Sequence, residues 1–242
     1  MVVAIRLLLI GLLTFESIFQ YFRPQNIHLI IIGVIPALLW LTFFLLEEKR
    51  KKYEPKRTIV YLFIMGIFAA LTAFDAQTLI KNGLFAPFGI AGPSLIGITT
   101  FAFIEEFLKF LFVYIGIRKS KYFDEPIDCM LDMITGAMGF AAFENILFII
   151  SSGDGIAKVA VFRFIGAILL HAIASGFIGF YWSRRKILVG LMIATSIHSL
   201  FNAIVLHSEN GIFFAPFFLV FLSFFLFRDF DIIKNANKNN HE

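Results

Sequence analysis

The sequence predicts an all-α fold, a polytopic bundle of about eight membrane-spanning helices with both termini in the cytoplasm. Hydrophobic residues make up 59% of the 242 residues, and 33 residues are Phe. The mean hydropathy of +0.85 is typical of an integral membrane protein. Eight apolar stretches come close to or exceed the roughly 20 residues that a spanning helix needs. They comprise residues 3–20, 27–46, 59–79, 93–117, 128–150, 161–183, 187–206 and 211–227.

The first apolar stretch has some features of a signal peptide, because Arg6 precedes an apolar block. It lacks a small-x-small cleavage site, and it contains Glu16 and aromatic residues instead. We therefore interpret residues 3–20 as a retained membrane helix and not as a cleaved leader.

Lys and Arg residues are distributed unequally between the two sides of the predicted bundle. One side has Arg6, Lys49, Arg50, Lys51, Lys52, Lys56, Arg57, Arg118, Lys119, Lys121, Arg184, Arg185, Lys186, Arg228, Lys234 and Lys238. The other side has only Arg23, Lys81 and Lys158, and two more basic residues fall inside or at the edge of predicted spans. Because basic residues are held on the cytoplasmic side, this imbalance predicts cytoplasmic termini.

The connections are short, so we expect a single integral-membrane domain in residues 1–230, with its core motifs in residues 93–206. Residues 231–242 form a predicted polar cytoplasmic tail. The pI of 9.2 follows from this topology, and no nucleic-acid partner is needed to explain it. Cys129 is the only cysteine, which excludes an intrachain disulfide and a multi-thiolate metal site.

Two adjacent carboxylates, Glu105 and Glu106, lie in the middle of the fourth stretch. A charge near the centre of a membrane helix costs at least about 2.5 kcal/mol, so the pair indicates a function. Few other polar residues lie inside the neighbouring spans. They are Lys109 on the same helix, Glu144 and Asn145 on the fifth, His171 and Ser175 on the sixth, and His198 and Asn202 on the seventh.

Four of these residues are predicted to lie at a similar depth. With antiparallel helices, Glu105 is about eleven residues from the outer end of its helix and His171 about ten. His198 is about eight residues and Glu144 about six from theirs. Small residues on the fifth and sixth helices allow close backbone approach, which would turn the polar side chains inward. The sequence therefore predicts one shared interior site in the outer half of the bilayer or near its midplane.

The charges of this predicted site narrow its chemistry. Three carboxylates opposed by Lys109 and Arg163 leave about one negative charge, so the site should hold an extra proton or a cation. Adjacent, poorly solvated carboxylates cannot easily both ionise, and one could act as a general acid or base. Alternatively, His171, His198 and Glu144 could bind a zinc ion with an open position for water. Either arrangement can activate water for attack on a carbonyl, and both remain open.

Four motifs lie on successive predicted helices, each on its own helix. They are EEFLK at 105–109, DMITGAMGFAAFEN at 132–145, RFIGAILLHAIASG at 163–176 and HSLFN at 198–202. Together, and in this order, they resemble the PrsW-type intramembrane proteases, which are related to the CAAX prenyl endopeptidase-like membrane proteins. The resemblance covers the fourth to seventh predicted spans.

The resemblance implies a hydrolase of the cell membrane that cuts membrane-anchored protein substrates. It implies that Glu105 or Glu106 activates water and that His171 and His198 orient this water or bind a metal. Asn202 could then donate a hydrogen bond to the oxyanion. In relatives the substrate is an anti-sigma factor, so the resemblance also implies regulated proteolysis in a stress response. The family has been described both as metalloproteases and as glutamate-dependent proteases.

Four further polar residues are expected to support this chemistry. Lys109 lies within one helical turn of both glutamates, and an ion pair with it accounts for one carboxylate but not easily for both. Glu144, beside Asn145, would be a further ligand or a supporting partner. Arg163 would anchor its helix at the interface or neutralise the cluster. Phe148 stands where the family pattern predicts a tyrosine, so no phenolic hydroxyl is expected there.

A proton- or ion-coupled transporter is the main alternative, because intramembrane acids and histidines also form ion pathways. Such a transporter predicts inverted repeats and helices broken at the midplane. The two halves of the chain show no convincing similarity, and only Gly92 and Pro93 interrupt the fourth span, near its outer end. A non-catalytic scaffold that binds substrate or lipid is a third interpretation. The presence of both glutamates and both histidines favours an enzyme.

Overall fold

The computed structural model describes residues 27–47, 56–118, 120, 123, 125–151 and 161–239. This part of the chain folds into seven α-helices and contains no strand, which confirms the all-α class. The helices are α1 (Ile27–Glu47), α2 (Lys56–Ile80), α3 (Leu95–Ile117), α4 (Pro126–Ser151), α5 (Ile168–Ser183), α6 (Ile187–His207) and α7 (Gly211–Asn239). A π-helical turn (Lys81–Phe85) and a 3-10 turn (Ala86–Phe88) extend α2, and a second π-helical turn (Arg163–Ala167) precedes α5.

Six helical segments in the described residues are long and apolar enough to cross a membrane, as a multi-pass membrane protein requires. They are Ile27–Leu46, Lys56–Phe88, Pro126–Ser151, Arg163–Ser183, Ile187–His207 and Gly211–Asn235. α3 has a spanning length of 23 residues but contains Glu105, Glu106 and Lys109 at its centre. The predicted first helix at residues 3–20 lies outside the described residues. The count of eight helices and the cytoplasmic termini therefore stay predictions.

α7 is longer than the predicted stretch, which ends at residue 227. The helix continues to Asn239, so most of the predicted polar tail, residues 231–242, is helical. Leu226, Phe230 and Ile233 are buried at helical spacing, which continues the apolar face past the first charged residues. The charged and polar composition of this segment concealed that periodicity.

α4 is the central helix of the bundle, with α1, α2 and α5 packed against it. Every residue from Ile127 to Phe143 is buried. A helix that is buried on all sides has no polar face to turn outward, so apolar side chains surround it, and Asp128, Asp132 and Thr135 are buried among them.

α2 and α4 cross with their backbones in contact. A Cβ at Gly139 would overlap the carbonyl oxygen of Phe63, and a Cβ at Gly66 would overlap the carbonyl oxygen of Gly136. Close packing of helices in lipid depends on such small residues. This contact confirms the close approach predicted from the small residues of the fifth stretch, and it fixes the register of α2 beside the site.

Gly139→Ala is expected to lower the free energy of unfolding by about 1–3 kcal/mol, because the added methyl must displace the α2 backbone. Gly83→Ala is the matched control, since a Cβ at Gly83 meets no described atom within 4 Å. The free energies of unfolding of both purified variants are measured and compared in the same detergent. Equal stability of the two variants would contradict the helix crossing.

Candidate active site

Polar residues from four helices meet in one buried cluster. α3 contributes Glu105, Glu106 and Lys109, α4 contributes Glu144 and Asn145, and the α5 and α6 segments contribute Arg163, His171 and His198. The two imidazole rings stand edge to face, with centroids 5.3 Å apart. These contacts agree with the shared depth predicted for the four helices.

Glu106 and Lys109 form an ion pair in the interior of the bundle. Lys109 Nζ lies 2.6 Å from Glu106 Oε1, and both side chains are 0% exposed. The two residues are three positions apart on α3, which places them on one face of the helix. Lys109 also donates to Nδ1 of His171 at 3.0 Å and lies 4.8 Å from the ring centroid of Phe140. Because an unpaired buried charge is costly, the charges of Glu106 and Lys109 stabilise each other.

His198 is held by Glu106 and faces Glu105. Its Nδ1 lies 2.7 Å from Oε1 of Glu106. Because that carboxylate is ion-paired with Lys109 and accepts only, Nδ1 of His198 carries the proton and donates. In the neutral ring, Nε2 then has a free lone pair, and it lies 3.7 Å from Oε2 of Glu105. This separation is too long for a hydrogen bond, so a water molecule or a cation would have to bridge the two atoms.

Glu105 has different surroundings from its neighbour Glu106. Its Oε1 accepts a hydrogen bond from Nε2 of Gln77 at 2.8 Å. Its Oε2 is buried and has no hydrogen-bond partner within the described part of the chain. Glu105 lines a cavity, whereas Glu106 lies behind the cavity wall. Of the two adjacent carboxylates, only that of Glu105 is open to a substrate.

Gln77 is a site residue that the sequence motifs do not indicate. It lies near the end of α2, lines the same cavity, and holds one oxygen of Glu105. The available signal was an amide side chain near the end of the apolar stretch 59–79. Because α2 carries none of the four motifs, that signal was not connected to the cluster.

Gln77→Leu is expected to lower the rate of substrate turnover about 10- to 100-fold, the usual cost of losing a residue that orients a catalytic group. Without the amide donor, the Glu105 carboxylate can rotate away from His198. Thr78→Val is a neighbouring control, because the Thr78 hydroxyl donates to the carbonyl of Phe74 and is remote from the cluster. Turnover by purified Gln77→Leu equal to that of Thr78→Val would exclude this orienting role.

The π-helical turn before α5 brings Arg163 and His171 onto one face. In a regular α-helix, residues eight positions apart differ by about 80° around the axis. A π-helical turn accommodates one extra residue, which reduces the difference to about 20°. Both side chains consequently reach Oε2 of Glu144: Arg163 Nη2 donates at 2.5 Å, and His171 Nε2 lies at 3.0 Å.

Arg163 has further partners that fix its position. Its Nε donates to Oδ1 of Asn145 at 2.5 Å, and its guanidinium carbon lies 4.1 Å from the ring centroid of Phe148. Arg163 is buried and is an integral member of the cluster. This buried position agrees with the neutralising role and does not agree with a role as an anchor at the membrane interface. Phe148 meets the guanidinium with its ring face, a contact that needs no phenolic hydroxyl.

A cavity of about 1030 Å³ reaches this cluster. Glu105, Glu144, His171 and His198 belong to its lining, which otherwise consists mainly of aromatic and aliphatic side chains. Asn202 lines the same cavity one helical turn from His198, and its side chain forms no hydrogen bond to another described residue. The volume is of the size that binds small ligands or a short peptide segment.

Glu105, His171 and His198 form a group that could hold a metal ion, because one ligand atom from each lies within 4.8 Å of the others. With zinc bonds of about 2.0–2.2 Å, the ligand atoms of a tetrahedral site lie about 3.4 Å apart, so small side-chain shifts suffice. Oε2 of Glu105 and Nε2 of His198 are open donors that fit an ion. Nε2 of His171 contacts Glu144, so it could bind the ion only after this contact is broken. The carboxylate in this set is that of Glu105, whereas the sequence predicts Glu144.

Comparison with known proteins finds relatives over most of the chain. Residues 54–227 match the family described as PrsW family intramembrane metalloprotease. Protease PrsW of Geobacillus kaustophilus is 29% identical over 162 residues, which cover 66% of this chain and 68% of that protein. Protease PrsW of Bacillus subtilis is 23% identical over 216 residues, 85% of this chain and 95% of that protein. Protease PrsW of Halalkalibacterium halodurans is 28% identical over 199 residues, 78% of this chain and 89% of that protein. No solved structure matches the chain.

Proposed function

The chain belongs to the PrsW family of intramembrane metalloproteases, and from this membership we propose that Glu105, His171 and His198 hydrolyse a peptide bond of a membrane-anchored protein. One observation carries the proposal. Oε2 of Glu105 is buried without a hydrogen bond to a described residue, it lies 3.7 Å from Nε2 of His198, and both residues line a cavity. A transporter is not favoured, because the matching family consists of proteases.

Glu105 is the group that takes a proton from the attacking water in this proposal. Its Oε2 receives the proton while Oε1 remains hydrogen-bonded to Gln77, and the same carboxyl then delivers the proton to the leaving amine. Glu106 acts behind it by holding Nδ1 of His198, which keeps the Nε2 lone pair directed at Glu105. This division is supported by the exposure of Glu105, and not of Glu106, to the cavity.

Asn202 is the proposed donor to the oxyanion. Its amide has no described partner, and it lines the cavity one turn from His198. A fixed N–H donor that meets the developing oxyanion stabilises the transition state more than the ground state. His171 and Arg163 line the cavity beside it, and the Arg163–Glu144 pair holds the α4 and α5 side of the site together.

A zinc ion fits the proposed site. Held by Glu105, His171 and His198, it would supply a Lewis acid that polarises the substrate carbonyl and acidifies water. The charge of the cluster supports a bound cation, because three carboxylates, those of Glu105, Glu106 and Glu144, meet two lysine or arginine side chains among the described residues, those of Lys109 and Arg163.

The substrate proposed for this site is a membrane-anchored regulatory protein of the cell membrane, similar to an anti-sigma factor. The mainly aromatic and aliphatic lining of the cavity supports a substrate that is apolar around the cleaved bond. Cleavage of such a regulator would make the enzyme part of a regulated proteolytic response to stress.

The test is to map new protein termini in host membranes by mass spectrometry. Cells that express the unaltered protein are compared with cells that express Glu105→Gln or Glu209→Gln at matched levels. Glu209 is exposed in the turn between α6 and α7, so its variant is a control for the same chemical change. We expect new termini near a membrane span with the unaltered protein and Glu209→Gln, and none with Glu105→Gln. Identical profiles in all three, under resting and envelope-stress conditions, would refute the proposed protease function.

A further inference from the structure

The two histidines of the site have opposite kinds of neighbour at Nδ1. Nδ1 of His198 faces the Glu106 carboxylate at 2.7 Å, whereas Nδ1 of His171 faces the Lys109 ammonium at 3.0 Å. A carboxylate only accepts hydrogen bonds, and an ammonium group only donates them. The neighbours therefore impose different proton positions on two otherwise equivalent imidazoles.

The Lys109 ammonium dictates the proton position on His171. Its ion pair with Glu106 at 2.6 Å keeps it charged, and it has three N–H donors and no acceptor. A proton on Nδ1 of His171 would point at these hydrogens, and burial of both side chains leaves the repulsion poorly screened. The proton therefore lies on Nε2, from which it is donated to Oε2 of Glu144 at 3.0 Å.

We propose that Lys109 is a positioning residue that fixes the proton of His171 on Nε2, so that the two active-site histidines hold opposite tautomers. His198 then presents a lone pair to the cavity, and His171 presents an N–H. In the metal-free site, His198 is consequently the histidine whose open nitrogen can receive an ion or order the attacking water, whereas His171 must lose its Nε2 proton before it can join Glu105 and His198 around an ion. His171 is the donor that can meet a substrate carbonyl oxygen when Glu144 releases it. These catalytic roles rest on the proposed protease function, whereas the tautomers themselves do not.

The test reads the tautomers directly by ¹⁵N NMR of histidine-labelled, chelator-treated full-length protein. The chain has five histidines, and replacing His28, His207 and His241 by Ala leaves only the signals of His171 and His198. We expect one ring protonated at Nε2 and the other at Nδ1. Two rings in the same tautomer would overturn the proposal, and this outcome requires no change at Lys109.

The role of Lys109 is tested by substitution in the same background. In Lys109→Met we expect the His171 proton to move to Nδ1 or to divide between both nitrogens. Lys109→Arg, which keeps only donors at this position, should preserve the Nε2 tautomer. Lys81→Met is the matched control, because Lys81 is exposed in the turn after α2. If Lys109→Met does not fold, Glu106→Gln/Lys109→Met leaves neither charge of the pair buried and takes its place.

An unchanged Nε2 tautomer of His171 in Lys109→Met, or in the double variant, would assign Lys109 a purely structural role and overturn the proposal. We also expect Lys109→Met to lower kcat about 10- to 100-fold, as for other residues that orient a catalytic group. The NMR result is obtained without substrate. Opposite tautomers without any new termini in membranes would therefore refute the protease function alone, and new termini with identical tautomers would refute this proposal alone.

Discussion

Purified Glu105→Gln is expected to cleave substrate about 10²- to 10⁴-fold more slowly than the unaltered protein, the usual contribution of a general acid–base group. The amide has the shape of the carboxylate and can still accept the hydrogen bond from Gln77, but it cannot take a proton from water. Loss of one negative charge from a cluster with excess negative charge should not weaken folding. Initial rates in one detergent, with Glu209→Gln as the control, measure the effect.

The zinc content of Glu105→Gln separates the two roles open to this carboxylate. If the variant retains zinc and loses its rate, Glu105 transfers the proton. If it loses both, Glu105 is a ligand of the ion. A rate equal to that of Glu209→Gln would contradict both roles and leave the cluster without a group that activates water.

The ion pair of Glu106 and Lys109 is expected to give the largest effect on stability. Lys109→Met should lower the free energy of unfolding by about 3–5 kcal/mol, because it leaves the Glu106 carboxylate buried without its cation. Glu106→Gln should lower the free energy of unfolding by a similar amount, because it leaves the Lys109 ammonium group buried without its anion. The double variant Glu106→Gln/Lys109→Met removes both charges and should lose much less than the sum of the single losses.

Unfolding of the three variants and the unaltered protein in the same mixed micelles gives the coupling energy. Lys81→Met controls for replacement of a lysine by methionine at an exposed position. Additive losses in the double variant would show that the two charges do not stabilise each other, and would contradict the ion pair.

The sequence predicted the members of the cluster better than their pairings. Glu105, His171 and His198 could be predicted because each is a polar residue inside an apolar span, at a depth given by helical rise. The different positions of Glu105 and Glu106 could not be predicted, because adjacent residues point about 100° apart around a helix. Which of them faces the cavity depends on how α3 is rotated against α2 and α6, and that rotation is set by tertiary packing.

The partners of Glu144 show a second limit of the sequence. Its separation from Arg163 and His171 crosses a loop and a π-helical turn, and regular helical spacing places those two residues on different faces. The turn brings both to one carboxylate, and Glu105 is the acid that groups with both histidines within 4.8 Å. Gln77 could not be predicted for a different reason, because its helix carries none of the four motifs.

The charges at the centre of α3 also bear on how the protein is made. Glu105, Glu106 and Lys109 would each cost at least about 2.5 kcal/mol in an isolated helix surrounded by lipid. Their partners lie on α2, α5 and α6, and two of these helices follow α3 in the chain. We therefore expect α3 to reach its full stability in the bilayer after α5 and α6 have been synthesised. Stable integration of this helix and assembly of the active site would then be coupled.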